Sequence, residues 1–387
     1  MAPQSLIGQD IPRLDALEKV TGAARYIADI AFPAMLHGRV LRSDRPHALI
    51  RRIDTAAARA VPGVRAVITG ADFPFNVGIY MVDQYIFAME RVRYVGEPVA
   101  AVAAATPAAA EKALRRIVVE YEDLPALLDV EEAARPGAVL IHPEIGSYQH
   151  VGAILPRADS NVANHFKVRK GDPDGAMAQA HLVLQNCFVV PQVQHVPLEP
   201  HGAIAWQDES GRLTVWSSTQ SPFTVRYLLS HCFGLKIHEI RCLAPYVGGG
   251  FGAKAGINLE PIAAALAMAA RGRPVKLIAS REEEFHAIVV RQGLRARIKT
   301  GLAGDGRILA EEVELLWDCG AYAGYGVNIV RAAGYTIGGA YHVPNLRGDS
   351  LGIYTNRPVG SAYRGFGMQE LHWAMEGQID LCARAMG

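Results

Sequence analysis

Four of the five residues from Gly248 to Gly252 are glycine, with Phe251 the exception, and they directly follow the apolar stretch Ile240 to Val247, which reads as a strand. Holding a glycine in one conformation costs about 0.5–1 kcal/mol relative to alanine, so a cluster this dense persists where the backbone must be approached closely or turned sharply. A ligand nearer than a β-carbon allows is one such reason, because the exposed amides of the turn then donate to an oxyanion or a heterocycle edge. A flexible surface loop is the other reading of the same residues. Phosphate-loop patterns do not apply: a Walker loop requires glycine before Lys254 and Ser or Thr after it, where the chain has Ala253 and Ala255. A dinucleotide fingerprint needs G-x-G-x-x-G opening a helix, and the glycine spacing does not provide it.

A second loop of the same character, Ser361-Ala362-Tyr363-Arg364-Gly365-Phe366-Gly367-Met368-Gln369, places an arginine and an aromatic ring among glycines just ahead of a helical pattern. A third element, Ser217-Ser218-Thr219-Gln220-Ser221-Pro222, is a polar turn after the strand-like Arg212 to Trp216. In order and spacing the three resemble the molybdenum-binding subunit of the xanthine dehydrogenase and aldehyde oxidase family, and the resemblance covers nearly the whole chain. Lys19 to Tyr26 (KVTGAARY) is similar to the opening motif of that family, and Arg93 to Val99 (RYVGEPV) and Val119 to Pro125 (VEYEDLP) to its hammerhead domain. The fold this implies is α+β, an N-terminal α/β hammerhead domain followed by the first part of a mixed α+β molybdenum-cofactor-binding domain. The expected divisions are an N-terminal arm (1–19), the hammerhead domain (20–128), a linker (129–172) and the first half of the molybdopterin-binding domain (173–387).

Composition sets bounds on partners. The chain is 50% hydrophobic and 20% charged, ordinary for a globular protein, and its 387 residues suffice for two or three domains. Thirty-nine basic against 38 acidic residues leave a net charge of +1, with no basic stripe to mark nucleic acid. Met1 to Asp10 lacks a basic-then-apolar export pattern, and no apolar run is long enough to span a membrane. The five cysteines (Cys187, Cys232, Cys242, Cys319, Cys382) are scattered, with no C-x-x-C pair, so neither an iron–sulfur cluster nor a structural zinc site is expected. Their apolar neighbours predict buried free thiols in a reducing compartment, hence a cytoplasmic protein.

Punctuation along the chain predicts the elements. Short helices are expected near Ala56 to Ala60 and from Pro107 to Arg115, the latter with Thr106 as N-cap and Pro107 at the first helical position. From Glu131 to Asp172 the pattern weakens into a connection. Strands are expected over Leu182 to Val190, Arg212 to Trp216, Ile237 to Val247, and Leu294 to Gly301 paired with Ile308 to Trp317 across Gly304-Asp305-Gly306. Pro261 to Ala270 is apolar all round and predicts a buried helix that Gly272 can terminate. Gln369 to Met386 reads as a helix with Gly387 at its cap.

The resemblance also implies a chemistry: hydroxylation of an electron-poor carbon, in an aldehyde or beside a ring nitrogen, with water supplying the oxygen. The cofactor would be molybdenum-molybdopterin, in its cytosine dinucleotide form, with no FAD or iron–sulfur cluster in this chain. Electrons would pass to a [2Fe-2S] subunit and onward, in some arrangements, to an FAD subunit. Chain end and family compared, the catalytic glutamate and much of the dinucleotide site would belong to a further half. The polypeptide then reads as a fragment or as one of two chains sharing a site, as in split-subunit members such as nicotinate dehydrogenase. Matched residue by residue, Gln220 would donate to the metal's oxo group, and Gly249, Gly250, Phe251 and Gly252 would approach the metal and pterin. Arg364 would sit beside the pterin and Phe366 would pack against aromatic substrates, while Arg331 either matches, with a one-residue shift, an arginine facing the substrate or is an ordinary exposed or ion-paired arginine. Two departures narrow the substrate. Ala255 stands where purine-oxidising relatives have glutamate, which argues against xanthine, and Gly365 stands where carbon monoxide dehydrogenases have cysteine, which argues against a copper-bridged site.

Other residues have plainer readings. Glu97 sits in the hammerhead region and reads as structural. His195, Glu199 and His201 have the residue types of a metal site, but Pro197 and Pro200 break any helix there, and a strand and turn near the site is the expectation. Arg281 to Glu284 reads as a solvated charge run opening a helix. Two functions stay open at this level: a catalytic portion of a hydroxylase that needs a second chain, or a non-catalytic scaffold that keeps the fold.

Overall fold

The computed structural model describes residues 6–387, so the first five residues of the expected arm lie outside it. Its largest sheet has seven strands, in the order Ile240–Leu243, Leu213–Ser217, Gly202–Gln207, Val275–Ile278, Leu36–Arg42, Pro98–Ala104 and Val64–Thr69. The expected 20–128 and 173–387 units therefore share one sheet, joined where Leu36 pairs with Val275 and His37 with Lys276 in parallel. One apolar cluster runs through both, from Leu36, Ile68 and Ala101 to Ala203, Val215 and Leu266. The helix Glu260–Ala269 covers this sheet; eight of its residues, Glu260 to Ala267, are buried, as an alanine-rich helix without a polar face requires.

A second sheet has five strands, ordered Leu182–Val190, Gly293–Leu302, Ile308–Gly320, Asn345–Tyr354 and Val162–Lys170. Its inner face packs on the helices Gly326–Gly334 and Met368–Met386 through Ile298, Trp317, Ile329, Val330, Leu371 and Met375. The hairpin at Gly304-Asp305-Gly306 forms as the Asp-Gly pair predicts, with Gly306 at φ +85° and its amide bonded to the Ala303 carbonyl at 3.0 Å. Thr106 caps the helix Pro107–Leu114 by accepting from the Ala109 amide at 3.1 Å.

Three expectations are corrected. Ile237 to Val247 is not one strand: a 3-10 turn, Ile237–Glu239, precedes a short strand, Ile240–Leu243, and Pro245, which has no amide to donate, follows. The supposed connection from Glu131 to Asp172 holds the edge strand Val162–Lys170, paired antiparallel with Asn345–Tyr354; its burial does not alternate cleanly, so no period-2 signal marked it. Cys187 is exposed, because the Leu182–Val190 strand lies at a sheet edge and turns alternate residues outward. Burial raises the Cys232 and Cys242 thiols to about 12, which makes them unreactive. No helix among the described residues is long and apolar enough to cross a membrane.

Candidate functional site

The three loops singled out by the sequence meet. Leu213–Ser217 delivers the polar turn, whose Gln220 amide and Thr219 hydroxyl both donate to the Lys254 carbonyl, at 2.8 and 3.1 Å. The Gln220 side-chain oxygen accepts from the Gly252 amide at 2.9 Å. The Arg364 amide donates to the Phe251 carbonyl at 2.8 Å, which ties the second loop to the first. These contacts are backbone-close, and glycine is what permits them. A β-carbon on Gly250 would lie 2.4 Å from Gln220 Oε1, and one on Gly252 would lie 2.5 Å from the Ala362 carbonyl oxygen. Phe251 and Phe366 both hold left-handed backbones, at φ +54° and +51°, a strain that non-glycine residues carry when their surroundings over-determine it.

The assembled loops leave polar groups free. The amides of Gly249, Gly250 and Phe251 make no hydrogen bond among the described residues, although Gly250 is buried. Gln220 spends its side-chain oxygen on Gly252, so its amide nitrogen is left without a partner there. The Arg364 side chain is exposed and has no hydrogen-bond or ion-pair partner among the described residues. Unpaired amides in succession, a primary amide and a guanidinium together form a set of donors suited to a ligand rich in acceptors.

Beneath the loops lies a buried polar frame that the sequence did not announce. Lys254 is fully buried, and its Nζ bonds Glu199 Oε2 at 2.8 Å and the Glu199 carbonyl at 2.9 Å. Burial pulls the Lys254 pKa below its ordinary value against the opposing pull of Glu199. Glu199 Oε2 also accepts from the Gly248 amide at 2.8 Å, so this ion pair holds the entrance of the glycine loop. His201 pairs with Glu284 at 2.9 Å and touches the Ala253 carbonyl at 3.2 Å. Burial works to raise the Glu284 pKa, but the hydrogen bonds and charge of His201 outweigh it and the carboxyl titrates below its ordinary value. His195 Nε2 donates to the Ala362 carbonyl at 2.7 Å; burial pushes this imidazole down to about 4, so the ring is neutral. Each of His195, Glu199 and His201 is thus committed to a protein partner.

The charge run Arg281 to Glu284 is corrected here. It does open a helix, Arg281–His286, through a Ser280–Glu283 capping box, yet Glu284 is buried on His201 and Glu283 binds Arg42 at 2.7 Å. Only the tertiary partner distinguishes these carboxylates from solvated ones. The signal for Lys254 and Glu199 was equally faint, a lysine after a glycine loop and a glutamate between prolines.

Phe366 lies in the second loop with its ring 6.3 Å from that of Tyr325, edge to face. Ala255 sits at the far end of the glycine loop, its carbonyl accepting from the Tyr325 hydroxyl at 3.3 Å. Arg331 is not drawn to the loops: on the helix Gly326–Gly334 its guanidinium bonds the Tyr335 hydroxyl at 3.1 Å and lies 5.8 Å from that ring. Glu97 is buried and bonded to Arg93 and Tyr322.

Comparison with known proteins identifies the family. Residues 154–387 match the family model of the molybdopterin cofactor-binding domain, and residues 21–125 that of the aldehyde oxidase and xanthine dehydrogenase a/b hammerhead domain. The nicotinate dehydrogenase large molybdopterin subunit of Eubacterium barkeri is 34% identical over 384 residues, covering 99% of this chain and 87% of that protein. The carbon monoxide dehydrogenase large chain of Afipia carboxidovorans is 33% identical over 388 residues, but this chain spans only 48% of its length. Among solved structures, the aldehyde oxidoreductase from Desulfovibrio gigas superposes with a TM-score of 0.89 at 30% identity, over 97% of this chain and 42% of that one. Quinoline 2-oxidoreductase from Pseudomonas putida 86 gives 0.87 at 33% identity, over 98% and 48%. The chain belongs to the xanthine dehydrogenase and aldehyde oxidase family, as a molybdopterin-binding chain that carries the hammerhead domain.

Proposed function

We propose that this chain forms the molybdenum-cofactor-binding portion of an oxidoreductase that hydroxylates an aldehyde or N-heteroaromatic carbon with water as the oxygen source, and that a second chain supplies the catalytic glutamate. The residues present suit the cofactor. Gly250 and Gly252 let the loops close on Gln220 and Ala362 more tightly than a β-carbon would allow, and the free amides of Gly249, Gly250 and Phe251 can donate to a pterin or its oxygen ligands. Gln220, its carbonyl engaged by Gly252, presents its NH2 as a further donor. Arg364 offsets negative charge there with a planar fork of donors. Phe251, 45% exposed, walls the cradle, and Phe366, edge to face with Tyr325, would line the substrate side.

When bound, the cofactor supplies the two-electron redox chemistry that no side chain can perform. This chain's part is to position and to balance charge. Electrons would leave to [2Fe-2S] and FAD partner subunits, and the pterin would carry a cytosine nucleotide. This chain covers 87% of the Eubacterium barkeri large molybdopterin subunit and about half of longer relatives. The scattered thiols favour a reducing, cytoplasmic setting.

The observation that carries this reading is the donor set formed by three unpaired amides, the Gln220 NH2 and the unpaired Arg364. Metal analysis and subunit composition of protein purified gently from its host test it. Molybdenum together with a second chain and iron–sulfur subunits is the expected result, and a lone metal-free chain overturns it. In the assembled protein, Arg364→Ala should lower molybdenum occupancy; unchanged content would remove Arg364 from the cradle.

A further inference from the structure

Tyr80 belongs to the N-terminal unit, yet its ring stands 5.7 Å from that of Tyr325, edge to face at 77°. Tyr325 in turn meets Phe366 of the second loop edge to face, at 6.3 Å and 80°. Three rings therefore form a continuous ladder from the N-terminal unit to the loop that carries Arg364. Both tyrosine hydroxyls are tied down: Asn328 Nδ2 donates to the Tyr80 hydroxyl at 3.1 Å, and the Tyr325 hydroxyl donates to the Ala255 carbonyl at 3.3 Å. The turn presenting Tyr80 is narrowly specified, since a β-carbon on Gly78 would lie 1.7 Å from the Met81 carbonyl oxygen. Gly256 is fitted to the ladder in the same way, its β-carbon position being 3.2 Å from the Tyr325 ring.

Two cavities flank this turn. One, of about 390 Å³, is bordered by Tyr80, His150, Tyr227 and His231, and no carboxylate among the described residues lines it. Its size falls in the range of about 300–1,000 Å³ typical of small-ligand pockets. The other, of about 50 Å³, is bordered by Gly256, Tyr325 and Ser361, beside the two loops. Val77, Gly78, Ile79 and Leu228 line both, so the Tyr80 turn is the wall the cavities share.

Resting on the hydroxylase reading above, we propose that Tyr80 is a specificity-determining residue. With Tyr325 it extends the surface offered by Phe366 into an edge-to-face aromatic wall that selects planar aromatic rings over flexible aliphatic aldehydes. An aromatic guest matches the alternating edges and faces of the wall, whereas an alkyl chain gains no such match and loses rotational freedom on entering.

The test compares kcat/KM for quinoline and for butanal in the complete molybdenum-loaded complex carrying Tyr80→Leu or Tyr80→Phe. The quinoline-to-butanal ratio should fall about three- to tenfold in Tyr80→Leu, chiefly through KM, and stay within about twofold of wild type in Tyr80→Phe. A ratio unmoved by Tyr80→Leu, or lowered equally by Tyr80→Phe, overturns the proposal. Should Tyr80→Leu fail to load molybdenum, Tyr80→Met, which fills similar space without a ring, carries the same comparison. A loaded wild-type complex that oxidises neither compound would defeat the hydroxylase reading instead. In that case the dissociation constant of 2-naphthoate decides about Tyr80: weaker binding to the Leu or Met variant supports the aromatic wall, and equal binding overturns it.

Discussion

Gly252→Ala should uncouple the two loops that form the cradle. Gly252 has φ +107°, where an L-residue costs about 1–2 kcal/mol. The new β-carbon would meet only backbone: the Ala362 carbonyl oxygen at 2.5 Å, its carbon at 2.7 Å and the Tyr363 nitrogen at 3.0 Å. Ordinary contact begins at 3.4 Å, so the second loop must retreat by about 0.9 Å, the difference between 3.4 and 2.5. A retreat of that size takes the bond from the Arg364 amide to the Phe251 carbonyl from 2.8 Å beyond hydrogen-bonding range, a loss of about 1 kcal/mol. With about 1–3 kcal/mol for overpacking, the whole effect is about 3–6 kcal/mol. Scanning calorimetry and molybdenum analysis of the assembled protein read both consequences. Gly211→Ala is the control: its φ is +86° with nothing within 4 Å, so it carries the backbone cost alone. Gly252→Ala should lower the melting temperature more than Gly211→Ala and should alone lower molybdenum content. Equal melting losses with equal molybdenum content would refute the reasoning, because the contact between the loops would then contribute nothing.

Lys254→Met should destabilise by about 3–5 kcal/mol, since it strands the Glu199 carboxylate beneath the glycine loop; adding Glu199→Gln should recover part of the loss in thermal unfolding, and a double variant as unstable as the sum of the singles would deny the pairing. Asp83 makes a prediction about pH. Burial, working against hydrogen bonds from the Ala323 amide and the Tyr354 hydroxyl, raises its pKa from 3.8 to about 6. Between those values the folded chain keeps a proton that the unfolded chain has released. Its contribution is therefore fully present below 3.8, falls as pH rises through that window, and is lost above about 6, at a cost on the order of 3 kcal/mol. Asp83→Asn should gain stability relative to wild type between pH 5 and pH 7; melting curves that shift in parallel at the two pH values would rule this out.

Which parts of the site could be read along the chain follows from the range of the forces involved. The glycine loop, the Ser217 to Pro222 turn and the Arg364 loop are short stretches whose residue types are demanded by local backbone shape. The Thr106 cap, the Asp305-Gly306 hairpin and the buried Glu260–Ala269 helix are local or periodic in the same way. Edge strands with mixed burial, such as Val162–Lys170, carry no such period, and nothing in the chain near Leu36 shows that it will pair with Val275. The polar frame is the clearest case. Lys254 and Glu199 are 55 residues apart, His201 and Glu284 are 83 apart, and Tyr80 meets Tyr325 from another unit of the sequence. A carboxylate in a charge run has the same composition whether water or a buried imidazole completes it. By itself, then, the sequence determined the family and the three loops, because those depend on backbone geometry over a few positions. Only the tertiary structure decided which loops touch, which charges pair beneath them and which aromatic rings meet beside them, because burial and long-range contact assign partners that sequence neighbours cannot.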